Sequence, residues 1–239
     1  MINIKKLFII VSMTAVFSMS AFAASGFEFI LNVPLGLSVG LPKIPAGAPK
    51  DFIKSGVGFD AGVTAQLGYM IGVTDGLGIS ILAELGYAHD TISIAMNKSY
   101  LGTQEDAIYS QSFESIQVGL LPKINIGAFA IGIGGGVKIP MASTITGKVG
   151  SEKVGPFKLN MGDLNNIYSS SIIGYIKGTF DYSIFFTDKI AMNVGLYLGY
   201  DFMPKTANGG LGSSSGVTGF DGGTFDVGLQ LGLKFGPKA

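Results

Sequence analysis

The sequence contains no cysteine and no tryptophan, and all sixteen of its basic residues are lysine. Without cysteine, the chain has no disulfide framework, thiol nucleophile or thiolate metal site. Charged residues make up only 13% of the 239 positions, about half of their share in a soluble globular domain. The formal net charge is zero and no basic cluster is visible, which argues against a nucleic-acid-binding protein.

Long apolar runs are also missing. After the first 23 residues, no stretch reaches the roughly 18 consecutive apolar residues of a membrane-spanning helix. The mean hydropathy is nevertheless +0.47, and glycine is frequent, at 37 residues. A hydrophobic chain without membrane helices is typical of an outer-membrane β-barrel, because helices and closed barrels are the two structures that satisfy their own backbone hydrogen bonds in lipid.

The N-terminus has the three parts of a secretory signal peptide. The basic start MINIKK is followed by the apolar segment LFIIVSMTAVFSMSAF, and Ala21-Phe22-Ala23 places small residues at the −3 and −1 positions of a cleavage site. We expect residues 1–23 to be removed on export and residues 24–239 to form one barrel domain in the outer membrane. An uncleaved anchor helix is the alternative, against which the short apolar core, interrupted by Ser and Thr, argues.

Alternation of large apolar residues with small or polar ones predicts eight β-strands. The clearest is IAMNVGLYLGYDF, in which every second residue from Ile190 to Phe202 is large and apolar. The predicted strands are 26–40, 57–72, 77–89, 115–123, 127–139, 171–186, 190–202 and 224–235. Long connections at about 41–56, 90–114, 140–170 and 203–223 alternate with short turns. This alternation is typical of bacterial barrels with short periplasmic turns and long extracellular loops.

The two faces of each strand distinguish a membrane barrel from a soluble, ligand-holding barrel of the lipocalin kind. The face opposite the large apolar residues is mostly Gly, Ser, Thr, Ala, Asn and Gln, with few charges. A soluble barrel needs a charged exterior, whereas small residues suit a narrow interior. The predicted fold is therefore all-β: an eight-stranded, antiparallel, up-and-down transmembrane barrel whose large apolar side chains face lipid.

Aromatic residues on the apolar face gather near the strand ends, as expected for belts at the two membrane interfaces. Those predicted at the turn or terminus ends are Phe27, Tyr69, Phe129, Phe186 and Phe235. Those predicted at the loop ends are Phe59, Tyr87, Tyr200, Phe202 and Phe225.

Charged residues on the inward face are candidates for ion pairs, because an isolated buried charge costs several kcal/mol. They are Glu28, Asp60, Glu84, Lys138, Lys177, Asp181, Asp201, Asp226 and Lys234. Barrel closure makes the first and last strands neighbours, and so predicts a Glu28–Lys234 ion pair at the seam. Near the loop end, Lys138 is the nearest strand-borne cation to Asp60, Asp201 and Asp226. We interpret these charges as structural pairs; a proton or ion pathway is the alternative.

The pattern resembles the eight-stranded outer-membrane barrels of the OmpA, OmpX and OmpW types over about residues 26–235, in its strand count, loop asymmetry, aromatic belts and apolar ending FDVGLQLGLKF. The resemblance is architectural and matches no family-specific motif. It implies outer-membrane lipid and the barrel-assembly machinery as partners. The predicted function is a non-enzymatic surface protein, structural or adhesive, that binds a host or environmental ligand through its loops. The alternatives are a narrow channel or carrier for small or apolar solutes, and then a lipid-modifying enzyme.

No residue pattern supports a catalytic or cofactor site. His89 is the only histidine, and its context HDTIS does not match the His-x-Ser arrangement of barrel deacylases. One histidine with scattered carboxylates does not form a metal ligand set. GIGGG, at 132–136, lacks the spacing of a nucleotide-binding loop. We therefore expect no catalytic residue, cofactor or metal, and interpret His89 as a polar residue at the membrane interface.

Overall fold

The computed structural model describes residues 25–42, 44, 49–101, 105–204 and 222–239. Its strands are β1 (Gly26–Pro42), β2 (Ile53–Ser55), β3 (Val57–Thr74), β4 (Leu77–Met96), β5 (Ala107–Ile126), β6 (Phe129–Val149), β7 (Glu152–Asn160), β8 (Ile173–Thr187), β9 (Ile190–Phe202) and β10 (Gly222–Phe235). Two short helices are α1 (Lys98–Leu101) and α2 (Met161–Ile167). The predicted signal peptide and most of the fourth predicted loop lie outside the described residues.

None of the helices within these described ranges is long and apolar enough to cross a membrane.

Eight of the strands form a closed antiparallel ring. Its order is β1, β3, β4, β5, β6, β8, β9 and β10, and β10 closes the ring by pairing with β1, where Phe29 lies opposite Phe235. The predicted eight-stranded up-and-down barrel is confirmed, and β9 has the bounds that the sequence predicts. Because each ring strand pairs on both sides, its backbone hydrogen bonds are made within the protein, as lipid requires.

At the periplasmic end, two-residue turns join the strands at 75–76, 127–128 and 188–189. Gly76 and Gly127 have φ angles of 77° and 59°. This left-handed backbone suits a tight hairpin, and glycine adopts it without a steric penalty.

The large apolar side chains of the ring strands face outward. On β9, Leu196 is 53% exposed, whereas Asn193 on the opposite face is 1% exposed. The same alternation of exposed apolar and buried small or polar residues runs through the other ring strands. A closed ring with an apolar exterior is a transmembrane β-barrel, the fold of bacterial outer-membrane proteins. A soluble lipocalin-like barrel, which would turn its polar face outward, is excluded.

The aromatic residues predicted for the two belts lie on this exterior. Eight of the ten are more than 40% exposed, and the other two, Phe27 and Tyr200, are half-buried. Neighbouring rings contact each other near the strand ends: Phe129 with Tyr182 at a centroid distance of 4.8 Å, and Tyr200 with Phe202 at 4.9 Å. The position of these rings relative to the membrane interfaces stays a prediction.

The extracellular connections are more regular than the sequence predicts. β4 and β5 run together until Met96 lies opposite Ala107, and β6 continues to Val149, where it turns back into β7. The predicted loops at 90–114 and 140–170 are therefore wrong in large part, because most of their residues form paired strands. From Tyr87 to Met96, β4 extends the wall by roughly 30 Å of strand. Above the lipid, the outward face no longer needs large apolar residues, so the alternation that identifies strands fades there.

Candidate functional site

The periplasmic half of the lumen contains an apolar obstruction. Ile30, Leu82 and Leu121 project inward from β1, β4 and β5, and form a fully buried contact group, here named the lower cluster. An eight-stranded barrel is just wide enough for side chains to fill its interior. The lower cluster therefore occupies part of the lumen at this level with apolar side chains.

A buried ion pair occupies the lumen as well. Lys123 Nζ lies 2.8 Å from Asp181 Oδ2, and both side chains are only 1% exposed. Lys123 also donates to Gln66 Oε1 at 3.1 Å, and Asp181 Oδ1 accepts from Gln230 Nε2 at 2.5 Å and Asn193 Nδ2 at 3.3 Å. These hydrogen bonds satisfy the charges that burial would otherwise penalise.

Sequence reasoning missed Lys123, although it included Asp181. The alternation in 115–123 is weak because Leu120 and Leu121 are adjacent. The alternation of side chains along a strand would have identified it. Since Val118 and Leu120 face outward, the odd-numbered residues of the same strand, including Lys123, face inward.

At the seam, Lys234 Nζ lies 2.7 Å from Glu28 Oε1, and both residues are buried. Glu28 Oε2 accepts a further hydrogen bond from Ser80 Oγ at 2.5 Å. The structure thus places in contact the two residues that barrel closure predicts as partners.

Toward the extracellular end, the lumen contains a cavity of about 60 Å³, here named the luminal chamber. Its charged lining consists of Asp60, Asp90, Lys138, Lys177, Asp201 and Asp226. Lys138 Nζ lies 2.8 Å from Asp90 and 2.5 Å from Asp201, and Lys177 Nζ lies 2.7 Å from Glu84. Of Asp60, Asp201 and Asp226, which the sequence places near Lys138, only Asp201 forms an ion pair with it. The second partner of Lys138 is Asp90, which is not among the predicted inward charges.

α2 covers the mouth of the barrel. Leu164 is completely buried among residues of β4, β5 and β8, and forms with them the mouth cluster of Ile92, Phe113, Leu164, Tyr168 and Ile173. A capping box starts the helix: the Asn160 side chain accepts from the backbone of Gly162 and Asp163, and the Asp163 carboxylate accepts from the Asn160 N–H. These hydrogen bonds satisfy backbone N–H groups that the start of a helix leaves without a partner.

The tip of the β4–β5 hairpin is held by Asp106. Its carboxylate accepts from the Lys98 backbone N–H at 2.9 Å and from Lys54 Nζ at 3.0 Å. These two hydrogen bonds lower the pKa of Asp106 from its ordinary value. The carboxylate therefore ties the tip to β2, which carries Lys54.

On the outward face above Tyr87, polar side chains of β4 and β5 form a connected group, here named the outward row. His89 Nδ1 lies 2.7 Å from Glu114 Oε1, and His89 Nε2 lies 3.5 Å from Thr91 Oγ1. Thr91 Oγ1 is 3.0 Å from Ser112 Oγ, and the Tyr87 hydroxyl donates to Glu114. The order carboxylate, imidazole, hydroxyl is that of a base-activated nucleophile. Inspection of His89 within its own strand missed this group, because Glu114 comes from the neighbouring strand.

Three lysines lie at the end of β6 and on β7, and one of them, Lys158, lies near this row. On the β6–β7 hairpin, Lys148 pairs with Lys153, and Lys158 pairs with Thr144, which itself lies opposite Ser112 on β5. Directly opposite residues share a sheet face. Lys158 is therefore on the same face as Ser112 and two strands away, roughly 10 Å.

Comparisons with known proteins find similar folds but no related sequence. No family model matches the chain, and no curated protein matches it. Neisserial surface protein A is 9% identical, with a TM-score of 0.39, over 88% of this chain and 99% of its own. The outer membrane protein OprG from Pseudomonas aeruginosa is 14% identical, with a TM-score of 0.39, over 91% and 99%. The outer membrane protease OmpT from Escherichia coli is 10% identical, with a TM-score of 0.34, over 92% and 99%. Similarity this low assigns neither an activity nor a ligand.

Proposed function

We propose that the protein is a non-enzymatic surface protein that acts through the extracellular side of its barrel and does not serve as an open channel. The observation that carries this proposal is obstruction of the lumen at two levels. The lower cluster and the Lys123–Asp181 pair fill the periplasmic half, and the mouth cluster lies over the extracellular end. A solute path would have to cross both.

Support for a binding role comes from the strands above the membrane. The β6–β7 hairpin and the start of α2 expose the apolar side chains of Val154, Phe157 and Met161 beside lysines. Ordered extracellular segments that expose apolar and charged groups together are suited to binding. A structural or adhesive contact with a host or environmental ligand would use this surface.

The channel alternative is tested by electrical recording. We expect the full mature chain, refolded and inserted into planar bilayers, to give no stable conductance steps, because apolar side chains obstruct both halves of the lumen. A general porin inserted under the same conditions supplies the positive control. Reproducible unitary steps, or entry of small sugars into proteoliposomes that contain the protein, would favour the channel or carrier instead.

A second candidate function, modification of an outer-leaflet lipid, is favoured by the outward row. Glu114 would hold the Nδ1–H of His89, and His89 Nε2 would accept the proton of Thr91 Oγ1 as that oxygen attacks an ester carbonyl. The fatty acyl group would transfer to Thr91 while His89 returns the proton to the leaving alcohol. Water would then hydrolyse the acyl-threonine and release the fatty acid. Lys158 on the same face would attract a phosphorylated headgroup.

Mass spectrometry of lipids tests this second candidate. If the candidate is correct, outer-membrane lipids incubated with the protein in vesicles lose an ester-linked acyl chain. Glu114→Gln and Thr91→Val should slow that loss by about a hundredfold or more, because each removes one part of the relay. Lys148→Met, on the β6–β7 hairpin outside the row, is the matched control. An unchanged lipid mass with the wild-type protein would reject the enzyme and leave the proposed surface role.

A further inference from the structure

Two of the aspartates in the luminal chamber have no cationic partner among the described residues. Lys138 is paired with Asp90 and Asp201, and Lys177 is paired with Glu84. Asp60 and Asp226 are only 5% and 6% exposed, and neither forms an ion pair in the described part of the chain. Buried carboxylates are ordinarily paired with a positive charge. The chamber therefore has more carboxyl groups than amino groups in its lining.

Three carboxylate oxygens in the chamber are buried without a hydrogen-bond partner: Asp60 Oδ2, Asp90 Oδ2 and Asp226 Oδ1. The other oxygen of each group is held by the wall. Asp60 Oδ1 accepts from Ser38 Oγ at 3.1 Å and from the Thr91 backbone N–H at 2.9 Å. Asp90 Oδ1 accepts from Lys138, and the Thr224 hydroxyl donates to Asp226. Each carboxylate is thus fixed through one oxygen and leaves an acceptor free.

The register brings Asp60 and Asp226 to one level of the lumen. They lie on β3 and β10, the two strands that flank β1. Ser38 on β1 is opposite Asp226 in the register and donates its hydroxyl hydrogen to Asp60. The Tyr197 phenol lies directly over Gly36, the β1 residue opposite Asp60. Two carboxylates and an aromatic ring therefore surround the same part of the chamber.

We propose that the luminal chamber binds a short-chain alkyl diammonium ion, one ammonium of which donates to the free oxygens of Asp60, Asp90 and Asp226. A primary ammonium carries three N–H donors, which matches three free acceptors. A second ammonium on the same chain supplies the second positive charge that Asp60 and Asp226 together require. This ligand goes beyond the proposed surface function and does not depend on it.

The volume of the chamber and its carboxylate oxygens favour this class of cation. A water-sized group needs about 10–15 Å³. A chamber of about 60 Å³ therefore holds roughly four to six such groups, and a three-carbon diamine is of this size. Among the described residues, no group of three or more His, Asp or Glu side chains has the geometry to hold a metal ion. An ammonium needs hydrogen-bond acceptors at ordinary distances and no coordination polyhedron.

Calorimetric titration of the full mature chain in detergent micelles tests this inference. With 1,3-diaminopropane as the probe, we expect saturable one-to-one binding, and no binding of the neutral analogue 1,3-propanediol. The double variant Asp60→Asn/Asp226→Asn keeps the shape of both side chains and should bind at least tenfold more weakly. Asp106→Asn, which removes a carboxylate outside the chamber, should bind as the wild type does.

The unfolding temperature, measured with and without the diamine, distinguishes loss of binding from misfolding. The diamine should raise the unfolding temperature of the wild type and of Asp106→Asn, because a ligand that binds the folded state stabilises it. It should have no such effect on Asp60→Asn, the single variant to use if the double variant does not fold. Absence of saturable binding, equal binding by the double variant, or tighter binding of Ca²⁺ than of the diamine would each overturn the inference.

Discussion

Replacing Lys123 with methionine is expected to lower the free energy of unfolding of the barrel by roughly 3–5 kcal/mol. Methionine has a similar length, so the main change is the loss of the charge. Asp181 is only 1% exposed and would keep the hydrogen bonds from Gln230 and Asn193. Those amides do not neutralise the carboxylate, and an uncompensated buried charge is strongly destabilising.

Urea unfolding of the refolded chain in lipid vesicles, followed by circular dichroism and by heat-modifiable gel migration, measures this effect. Lys148→Met is the matched control, because Lys148 is exposed on the β6–β7 hairpin, and it should change stability by no more than about 0.5 kcal/mol. The double variant Lys123→Met/Asp181→Asn should recover part of the lost free energy of unfolding, because it also removes the unpaired buried charge of Asp181. Equal effects of Lys123→Met and Lys148→Met would show that the pair contributes nothing measurable.

The sequence predicts the membrane part of the fold well because lipid imposes a rule on every second residue. β9 is the clearest example: its outward residues must be apolar over the whole thickness of the bilayer, so Ile190 to Phe202 can be identified from alternation alone. The rule no longer applies above the membrane. In Thr91-Ile92-Ser93, the apolar residue Ile92 points inward as part of the mouth cluster, and the two hydroxyl side chains lie on the outward face. Because the outward residues are polar, this part of the strand has the composition of a loop.

Contacts between charged residues in the lumen could be predicted only where closure of the barrel alone determines which strands are neighbours. Glu28 and Lys234 belong to the first and last ring strands, and a closed barrel must bring these together. The partners of Lys138 are different, because Asp90 and Asp201 come from β4 and β9, neither of which pairs with β6 in the ring. Such contacts depend on strand stagger and side-chain reach across the lumen, which local alternation does not encode.

The same limit applies to the outward row. His89 and Glu114 meet because the β4–β5 register sets them opposite each other. The two strands stay paired until Met96 lies opposite Ala107, inside a segment that the sequence predicts as loop. The contact could therefore be found only after the extension of both strands was known.

Replacing Leu196 with lysine should lower the free energy of unfolding in lipid vesicles by about 2–4 kcal/mol, because a charge on the lipid face costs most near the bilayer midplane. Leu196 is 53% exposed and faces outward at the middle of β9, which runs from Ile190 to Phe202. Ile190→Lys, on the same face at the periplasmic end of the strand, should cost only about 0–1 kcal/mol, since its ammonium can reach the interface.

The comparison between these two variants tests the membrane assignment more directly than either variant does alone. Both add the same lysine to the same face of β9, so the net charge changes equally in the two variants. Urea unfolding in vesicles should separate them by at least about 1 kcal/mol. The separation should shrink when the vesicles have thinner bilayers, because the midplane position then lies closer to water. Equal costs at Leu196 and Ile190 would contradict an apolar band centred on the middle of β9.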